Sequence, residues 1–332
     1  MARYIGKRIL MFVPTVLLIS VVVFFIIQLP PGDFISTYVS KMQEQGETFT
    51  PEMVEAIRVQ YGLDQPWYVQ YGKWMMGIFT RGDFGYSFTY QSPVWNVIMT
   101  RLPLTIIVST VIMLFTYLVS IPIGIYSATH QYSAGDYFFS AIGFLGMSIP
   151  NFLLAIILMY FSFKWTGNSM VGLFSQDMVV NGIHWYNFGE FLQRMIIPTI
   201  VIGTAGTCGI IRQVRGQMLD EQMKQYTLVA RAKGVSEWTI VYKYCLRAAL
   251  NPVVSGLSGS LAGIFSGSTI SAIVMNMALI GPLLYEALQN QDMYLAGTIV
   301  LVMGVLVVVG TLISDIVLAW MDPRIRFEKR RG

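Results

Sequence analysis

The chain has 332 residues, of which 55% are hydrophobic and only 12% are charged, and its formal net charge is +4. Globular domains carry about 25% charged residues, so this composition excludes an ordinary soluble domain. The charged residues are also grouped along the chain, which leaves long apolar stretches between them.

Six stretches without charged residues predict six membrane-spanning helices, because a helix needs about 20 apolar residues to cross the hydrocarbon core. The stretches lie between Arg8 and Asp33, Arg101 and Asp136, Asp136 and Lys164, Arg194 and Arg212, Arg247 and Glu286, and Asp292 and Asp315. Only the fourth is short of that length, and Phe191, Leu192 and Val214 can extend it.

The first predicted span covers residues 9–29, so that residues 1–29 form a cytoplasmic N-terminus and one helix. Its apolar run is longer than that of a signal peptide. The string Leu29-Pro30-Pro31-Gly32-Asp33 is also no small-x-small cleavage site. We therefore expect this helix to be retained.

An extracytoplasmic domain is predicted over residues 30–100. Thr50 can cap a short helix that begins at Pro51 and ends at Gly62. Tight loops are expected at residues 30–33 and 81–85. The aromatic residues that follow the short helix suit either a belt at the membrane interface or a contact surface, and they are Trp67, Tyr68, Tyr71, Trp74 and Phe79.

A core of five further spans is predicted over residues 101–320. Span two covers residues 102–128, span three 137–163 with an interruption at Pro150, span four 192–212, span five 253–284 and span six 295–321. A basic tail follows at 321–332. Span five carries small residues every four positions, a ridge that lets another helix approach closely, and these are Ser255, Gly259, Gly263 and Gly267.

The polar segment at residues 213–252 separates spans four and five. Four residues in it fall at helical spacing and predict one helical stripe: Leu219, Met223, Tyr226 and Ala230. Gly234 is placed to end that helix in the left-handed conformation. Ser236 can cap a second helix that starts at Glu237. The segment Tyr226–Pro252 is therefore expected to form an elbow of two helices joined at a glycine.

The basic residues predict the orientation of the chain. Most of the 22 Lys and Arg residues lie in three segments that six spans put on one side of the membrane, namely residues 1–8, 212–247 and 324–331. The positive-inside rule makes that side the cytoplasm, together with both termini. The positive charge thus indicates topology rather than binding of nucleic acid.

The sequence contains no nucleotide-binding loop, since Gly6-Lys7 and Gly72-Lys73 are not followed by Ser or Thr. Its two histidines, His130 and His184, fall in loops, and its two cysteines, Cys208 and Cys245, form no CxxC motif. No metal site and no catalytic residue are therefore predicted. Asp315, inside span six, is expected to form an interhelical pair or to reach towards the membrane surface.

One string points to an enzyme. Gly256-Leu257-Ser258-Gly259 matches the GxSG around the serine of rhomboid-type intramembrane proteases. Such a serine needs a base from a later span. No histidine follows His184, so packing is the favoured interpretation of this string.

A series of short strings stands in a defined order along the chain: Tyr4-Ile5 with Lys7-Arg8, Pro31-Gly32-Asp33, Tyr61 to Pro66, Gly82 to Ser87, Arg101-Leu102-Pro103, Ala230 to Gly234, Leu246 to Leu250 with Pro252, and Asp322 to Arg326. Over essentially the whole chain these strings resemble the permease (transmembrane) subunits of oligopeptide, dipeptide and nickel ABC importers.

The resemblance implies an all-α membrane protein of six transmembrane helices, similar to a type I ABC importer permease, with an extracytoplasmic insert after the first helix. It implies half of a translocation pathway for di- and oligopeptides, worked by alternating access. The implied partners are a homologous second permease, two ATP-binding subunits that hold the ATP and Mg, an extracytoplasmic solute-binding protein and membrane lipid. The chain itself would hold no cofactor, and it would lie in a bacterial or archaeal plasma (inner) membrane.

In such permeases the polar segment fits a cleft on the ATPase subunit. The resemblance assigns ATPase coupling to Tyr226, Ala230, Arg231, Ala232, Lys233 and Gly234. The family pattern is Glu-Ala-Ala, three residues, then Gly. This chain has Leu228, Val229 and Ala230 at the first three positions, so the acidic residue is missing.

A second departure concerns the cargo, because Met277 to Pro282 replaces the usual Pro-Gly-x-Gly turn after span five. The residues that bind substrate are not assigned. An importer of nickel chelates or another small solute is the alternative within the family. An intramembrane serine protease and a stand-alone channel or secondary carrier are the alternatives outside it, and the last would have no use for the elbow.

Overall fold

A computed structural model of the protein describes residues 2–27, 39, 50–60, 65–87, 89–168, 170–175, 178 and 188–321. The first half contains α1 (Ala2–Ile27), α2 (Pro51–Gln60), α3 (Trp67–Arg81), the strands β1 (Tyr86–Ser87) and β2 (Ser92–Pro93), α4 (Val94–Met99), α5 (Leu102–Thr129), α6 (Ala134–Ser148) and α7 (Asn151–Thr166). The second half contains α8 (Phe188–Gln222), α9 (Gln225–Ala232), α10 (Glu237–Thr239), the π-helix Ile240–Cys245, α11 (Leu246–Ser255), α12 (Leu257–Gly267), α13 (Thr269–Val274), α14 (Ile280–Gln289) and α15 (Met293–Met321).

Four segments of the described chain are long and apolar enough to cross a membrane: Arg8–Ile26, Val94–Thr129, Phe188–Gln222 and Met293–Met321. The pair α6 and α7 makes a fifth if it counts as one span, although its helices are bent by 103°. The bend confirms the predicted interruption at Pro150, which forces Ile149 into an extended conformation. The predicted count of six spans is not confirmed.

The prediction of span five as one helix is wrong. The chain breaks at Gly256, at Ser268 and again between α13 and α14. Asn276 adopts a left-handed conformation with φ 52°, which ends the helical path after α13. An uncharged run of residues records apolarity but not continuity, so the charge pattern could not separate one helix from four.

The chain divides into two compact units. Unit 1 comprises Met1–Arg8, Ile106–Ala278 and Val307–Gly332, and unit 2 comprises Ile9–Thr105 and Leu279–Leu306. One hydrophobic core of unit 1 joins residues of α5, α8, α9, the π-helix and α11, with Met218, Ile240, Cys245 and Ala249 fully buried in it. This core ties the polar segment to the helices on both sides of it.

In unit 2 a buried carboxylate holds the small hairpin of β1 and β2. Asp292, which is 1% exposed, accepts hydrogen bonds from the Ser87 hydroxyl at 2.6 Å and from the Thr89 backbone N–H at 3.3 Å. Its other oxygen accepts from the backbone N–H of Leu295 at 3.2 Å. Burial raises the pKa of Asp292, and the hydrogen bonds oppose that shift.

Helix α2 and the turn at Gly82 agree with the predictions for residues 50–85, whereas the helix α3 was not predicted. Thr50 accepts a hydrogen bond of 3.4 Å from the Met53 N–H at the start of α2, whereas Gly62 lies outside the described residues. Gly82 ends α3 with φ 64°. The aromatic residues divide: Tyr71 and Trp74 pack against Phe24, and Trp67, Tyr68 and Phe79 stay exposed.

An ion pair links the two ends of unit 1. Arg8 Nη1 lies 3.1 Å from Asp315 Oδ2, although the angles there are not those of a hydrogen bond. This is the interhelical pair predicted for Asp315. The strings Pro31-Gly32-Asp33 and Asp322 to Arg326, and the basic tail at 322–332, lie outside the described residues.

Candidate functional site

The polar segment begins with a break rather than with the continuous helix predicted from the stripe of Leu219, Met223, Tyr226 and Ala230. Helix α8 ends at Gln222, and the chain turns at Met223 and Lys224 before α9. Met223 is 81% exposed, whereas Ala230 is buried, so the stripe does not share one face. The Thr227 hydroxyl donates a hydrogen bond to the Glu221 carbonyl at 2.9 Å. This side-chain bond replaces the backbone bond that would continue the helix.

A buried acid, Glu221, anchors this turn. Its carboxylate accepts a hydrogen bond from Lys224 Nζ at 2.6 Å and another from the Tyr226 hydroxyl. Burial of that hydroxyl, followed by its bond to Glu221, raises the pKa of Tyr226 to about 12. The sequence analysis assigned no role to Glu221, although the Glu221–Lys224 spacing of three residues is a helical pair that could have shown it.

Gly234 ends α9 in a complete Schellman motif. Its φ is 77°, the left-handed conformation predicted for it. The Gly234 N–H donates to the Arg231 carbonyl at 2.9 Å, and the Val235 N–H donates to the Ala230 carbonyl at 3.1 Å. Val235 also packs against the core of unit 1. The turn is therefore fixed by backbone bonds and by a buried side chain.

An ion pair closes the elbow on its outer side. Arg231 Nε and Nη2 donate to the two carboxylate oxygens of Glu237, at 2.7 and 3.2 Å. This bond lowers the pKa of Glu237 and raises that of Arg231. Because the Glu237 side chain is 64% exposed, the pair orients the two helices more than it stabilises them.

The second helix of the elbow starts at Glu237, as predicted, but without the predicted cap. The Ser236 hydroxyl bonds the Thr239 hydroxyl at 2.9 Å and makes no bond to a backbone N–H. After one turn the helix becomes a π-helix over Ile240–Cys245, a form found often at functional sites. Burial raises the pKa of the Cys245 thiol.

The elbow exposes two apolar pairs. Leu228 and Val229 on α9 are 53% and 52% exposed. Trp238 and Tyr242 are 70% and 41% exposed, and their ring centroids lie 3.9 Å apart. Exposed apolar side chains that are grouped in this way indicate a surface that another protein or the membrane covers.

The residues predicted to couple to an ATPase differ in their exposure to solvent. Ala230 is buried and Arg231 is paired, so neither presents a free side chain. Tyr226, Ala232, Lys233 and Gly234 are exposed. The exposed surface of the elbow thus includes these four residues and also the two apolar pairs, which the sequence analysis did not assign.

The predicted small-residue ridge runs through α11 and α12. Ser255 is the last residue of α11, and a Cβ built on Gly259 or Gly263 would meet no atom within 4 Å. The side-chain surroundings of Gly267 lie outside the description. Within the described part of the chain this face is open, so its role in packing stays a prediction.

The residues considered for catalysis or metal binding lie apart from one another in the described part of the chain. No three His, Cys, Asp or Glu side chains among them are placed to hold a metal ion. Ser258 lies on α12, while His130 stacks on Tyr126 at 4.7 Å and meets the Thr129 hydroxyl at 3.0 Å. His184 lies outside the described residues.

Comparison with known proteins gives a consistent result. Residues 120–327 match the family described as the binding-protein-dependent transport system inner membrane component, and residues 1–109 match its N-terminal counterpart. The chain is 33% identical to the oligopeptide transport system permease protein AppB of Bacillus subtilis, over 98% of this chain and 100% of AppB.

Two further similarities extend this result. The dipeptide transport system permease protein DppB of Lactococcus lactis is 31% identical, over 98% of this chain and 100% of DppB. Among solved structures, a chain of the inward-facing MetNI methionine ABC transporter matches with a TM-score of 0.52 and 19% identity, over 68% of this chain and 96% of that one. At that identity the match shows a shared fold.

Proposed function

The chain belongs to the family of binding-protein-dependent transport system inner membrane components, as a permease subunit of the peptide ABC importers, and from this premise we propose that it forms half of a peptide translocation pathway. It is a multi-pass inner membrane protein, and its relatives are transport subunits rather than enzymes. The proposed cargo is di- and oligopeptides, the substrates named for those relatives.

The observation that carries the proposal is the elbow Tyr226–Pro252, together with the turn at Glu221 that precedes it. Its interior is held by the Schellman motif and by the hydrogen bonds of Glu221 to Lys224 and Tyr226. Its exterior carries the two apolar pairs. A surface of that kind suits the cleft of a partner protein. We propose that this partner is an ATP-binding subunit, which also holds the ATP and Mg.

The contacts of the elbow suggest how motion reaches the membrane. Its buried residues belong to the same core as Val214 and Met218 of α8, and Ala249 and Val253 of α11. A push on the elbow would therefore move α8 and α11 together with it. In our proposal, ATP-driven closure of two such partners supplies the push, and alternating access is the result.

The remaining parts of the proposal concern neighbours and orientation. A homologous second permease would complete the pathway, and the open face at Ser255 and Gly259 would give its helices room to slide. An extracytoplasmic solute-binding protein would deliver the cargo. Both termini and the elbow would face the cytoplasm, which agrees with the distribution of Lys and Arg.

We expect Trp238→Ala to weaken binding of the ATP-binding subunits by about tenfold or more, because a large exposed aromatic residue is a typical interface anchor. The fold should be unaffected, since Trp238 is 70% exposed. Co-purification of the subunits with the permease, at several detergent dilutions, measures the loss. Trp165→Ala is the matched control, because Trp165 is 79% exposed on α7. Equal recovery of the complex with both variants would contradict this docking surface.

The function itself is tested by reconstituting the complete importer in vesicles and measuring uptake of radiolabelled tri- and tetra-alanine with and without ATP. ATP-dependent uptake of peptide is expected. Uptake of a nickel chelate but of no peptide would favour the other importers of this family.

A further inference from the structure

A cavity of about 340 Å³ lies inside unit 1, between α5, α7, α8 and α12. Its size is within the usual range of ligand sites, which begins at about 300 Å³. Among the described residues no charged side chain contributes to its wall, in which Thr116, Tyr117, Asn151, Gly209, Ser260 and Gly263 matter for a ligand.

Three polar side chains in this wall are placed to bind a ligand. The Tyr117 and Ser260 hydroxyls lie 3.0 Å apart, and the Ser260 hydroxyl also donates to the Gly256 carbonyl at 3.2 Å. The pair therefore keeps lone pairs that can accept a hydrogen bond from a ligand. Asn151 is the first residue of α7, directly after the bend at Pro150, and its side-chain amide has no hydrogen-bond partner among the described residues. An amide offers both donors and an acceptor.

The rest of the wall is apolar or bare backbone. The hydroxyl of Thr116 is occupied, since it donates to the Ile112 carbonyl at 2.8 Å. A Cβ built on Gly209 or Gly263 would meet nothing within 4 Å, so the backbone there borders open space. The cavity therefore offers a few neutral hydrogen-bonding groups, and apolar surroundings that do not select a particular side chain.

Two of the helices that line the cavity are connected along the chain to the elbow. Helix α8 leads from the cavity residues Ile202 to Ile210 into the turn at Met223. On the other side, α11 leads from the elbow to α12, which carries Ser260 and Gly263. A displacement of the elbow therefore alters two walls of this cavity.

We propose that this cavity holds the main chain of the peptide in transit, through hydrogen bonds that the Asn151 amide donates and accepts and through bonds that the Tyr117–Ser260 pair accepts from peptide N–H groups. The proposal rests on the proposed function. An amide and a hydroxyl complement the N–H and C=O groups that every peptide carries, whatever its side chains. A wall without charge also leaves no fixed ion to trap a passing peptide, which suits a route rather than a storage site.

Photo-crosslinking in the complete reconstituted importer tests the proposal directly. Tyr117→p-benzoylphenylalanine should form an adduct with tritiated tri-alanine during ATP-driven uptake. Tyr160→p-benzoylphenylalanine is the matched control, because Tyr160 is a 60% exposed tyrosine on α7, and it should form none. An importer that transports the peptide but gives no adduct at residue 117, or equal adducts at both residues, overturns the proposal.

Transport by conservative variants gives a second, independent readout. Asn151→Leu and Tyr117→Phe should each lower uptake by up to about tenfold, the usual weight of one hydrogen bond, while the binding protein still stimulates ATP hydrolysis. Tyr160→Phe should leave uptake unchanged. Unchanged uptake with Asn151→Leu overturns the cavity assignment alone, whereas absence of ATP-dependent peptide uptake in the unsubstituted importer would overturn the proposed function.

Discussion

Replacing Gly234 with valine is expected to lower coupled uptake by about a hundredfold while the chain still inserts into the membrane. A β-branched residue at φ 77° is strained by about 2–3 kcal/mol. Relief of that strain would break the two bonds of the Schellman motif, at the Gly234 and Val235 N–H groups. The elbow would then yield when pushed, and ATP hydrolysis would continue without transport.

The variant Gly234→Asn shows whether the effect of valine comes from its backbone strain or from the mere presence of a side chain at this position. Both side chains find open space, since a Cβ at this position meets nothing within 4 Å. Asparagine tolerates the left-handed conformation, so most of the uptake should return. The ratio of peptide taken up to ATP hydrolysed, measured in vesicles for the two variants side by side, gives the result. Full uptake with valine would show that the turn does not transmit force.

Arg215→Met should destabilise the folded chain by about 3 kcal/mol. Arg215 Nη2 donates to Asp136 Oδ2 at 3.0 Å, and the Asp136 side chain is only 5% exposed. Removing the arginine leaves the buried Asp136 carboxylate without a counter-ion, with the Tyr132 backbone N–H still donating to the same oxygen at 3.1 Å. The pair fastens the turn between α5 and α6 to the part of α8 that leads into the elbow, so uptake should fall as well.

The double variant Asp136→Leu with Arg215→Met is the decisive control. Apolar residues of similar size often replace a buried ion pair at little cost, so the double variant should recover most of the thermal stability that the single one loses. The unfolding temperature of the purified permease in detergent measures both. If the double variant is no more stable than Arg215→Met, the loss is one of packing and not of an unpaired charge.

The sequence predicted best those features that depend on local chemistry. Gly234 takes the left-handed conformation and Pro150 breaks span three, because φ and the missing N–H are properties of single residues. An ion pair of Asp315 could also be predicted, because a charge inside an apolar helix needs a partner, and the structure identifies that partner as Arg8.

Features that depend on tertiary contacts were missed. Span five is divided at Gly256, at Ser268 and after α13, and an uncharged run from 248 to 285 does not show where a helix ends. The stripe through Met223 failed because Thr227 competes for the Glu221 carbonyl. Neither the cavity nor the position of Asn151 in its wall could be foreseen, because the lining residues are far apart in the chain.

The π-helix at Ile240–Cys245 has a consequence for insertions and deletions. A π-turn holds one residue more than an α-turn between the same flanking helices. Loss of one residue inside it would restore an α-helix and leave both flanks in phase, with Trp238 outward and Ala249 inward. The same loss within α11 would rotate one flank by about 100° against the other. Ile240–Cys245 is thus a position at which homologous chains can differ in length by one residue and still present the same surface.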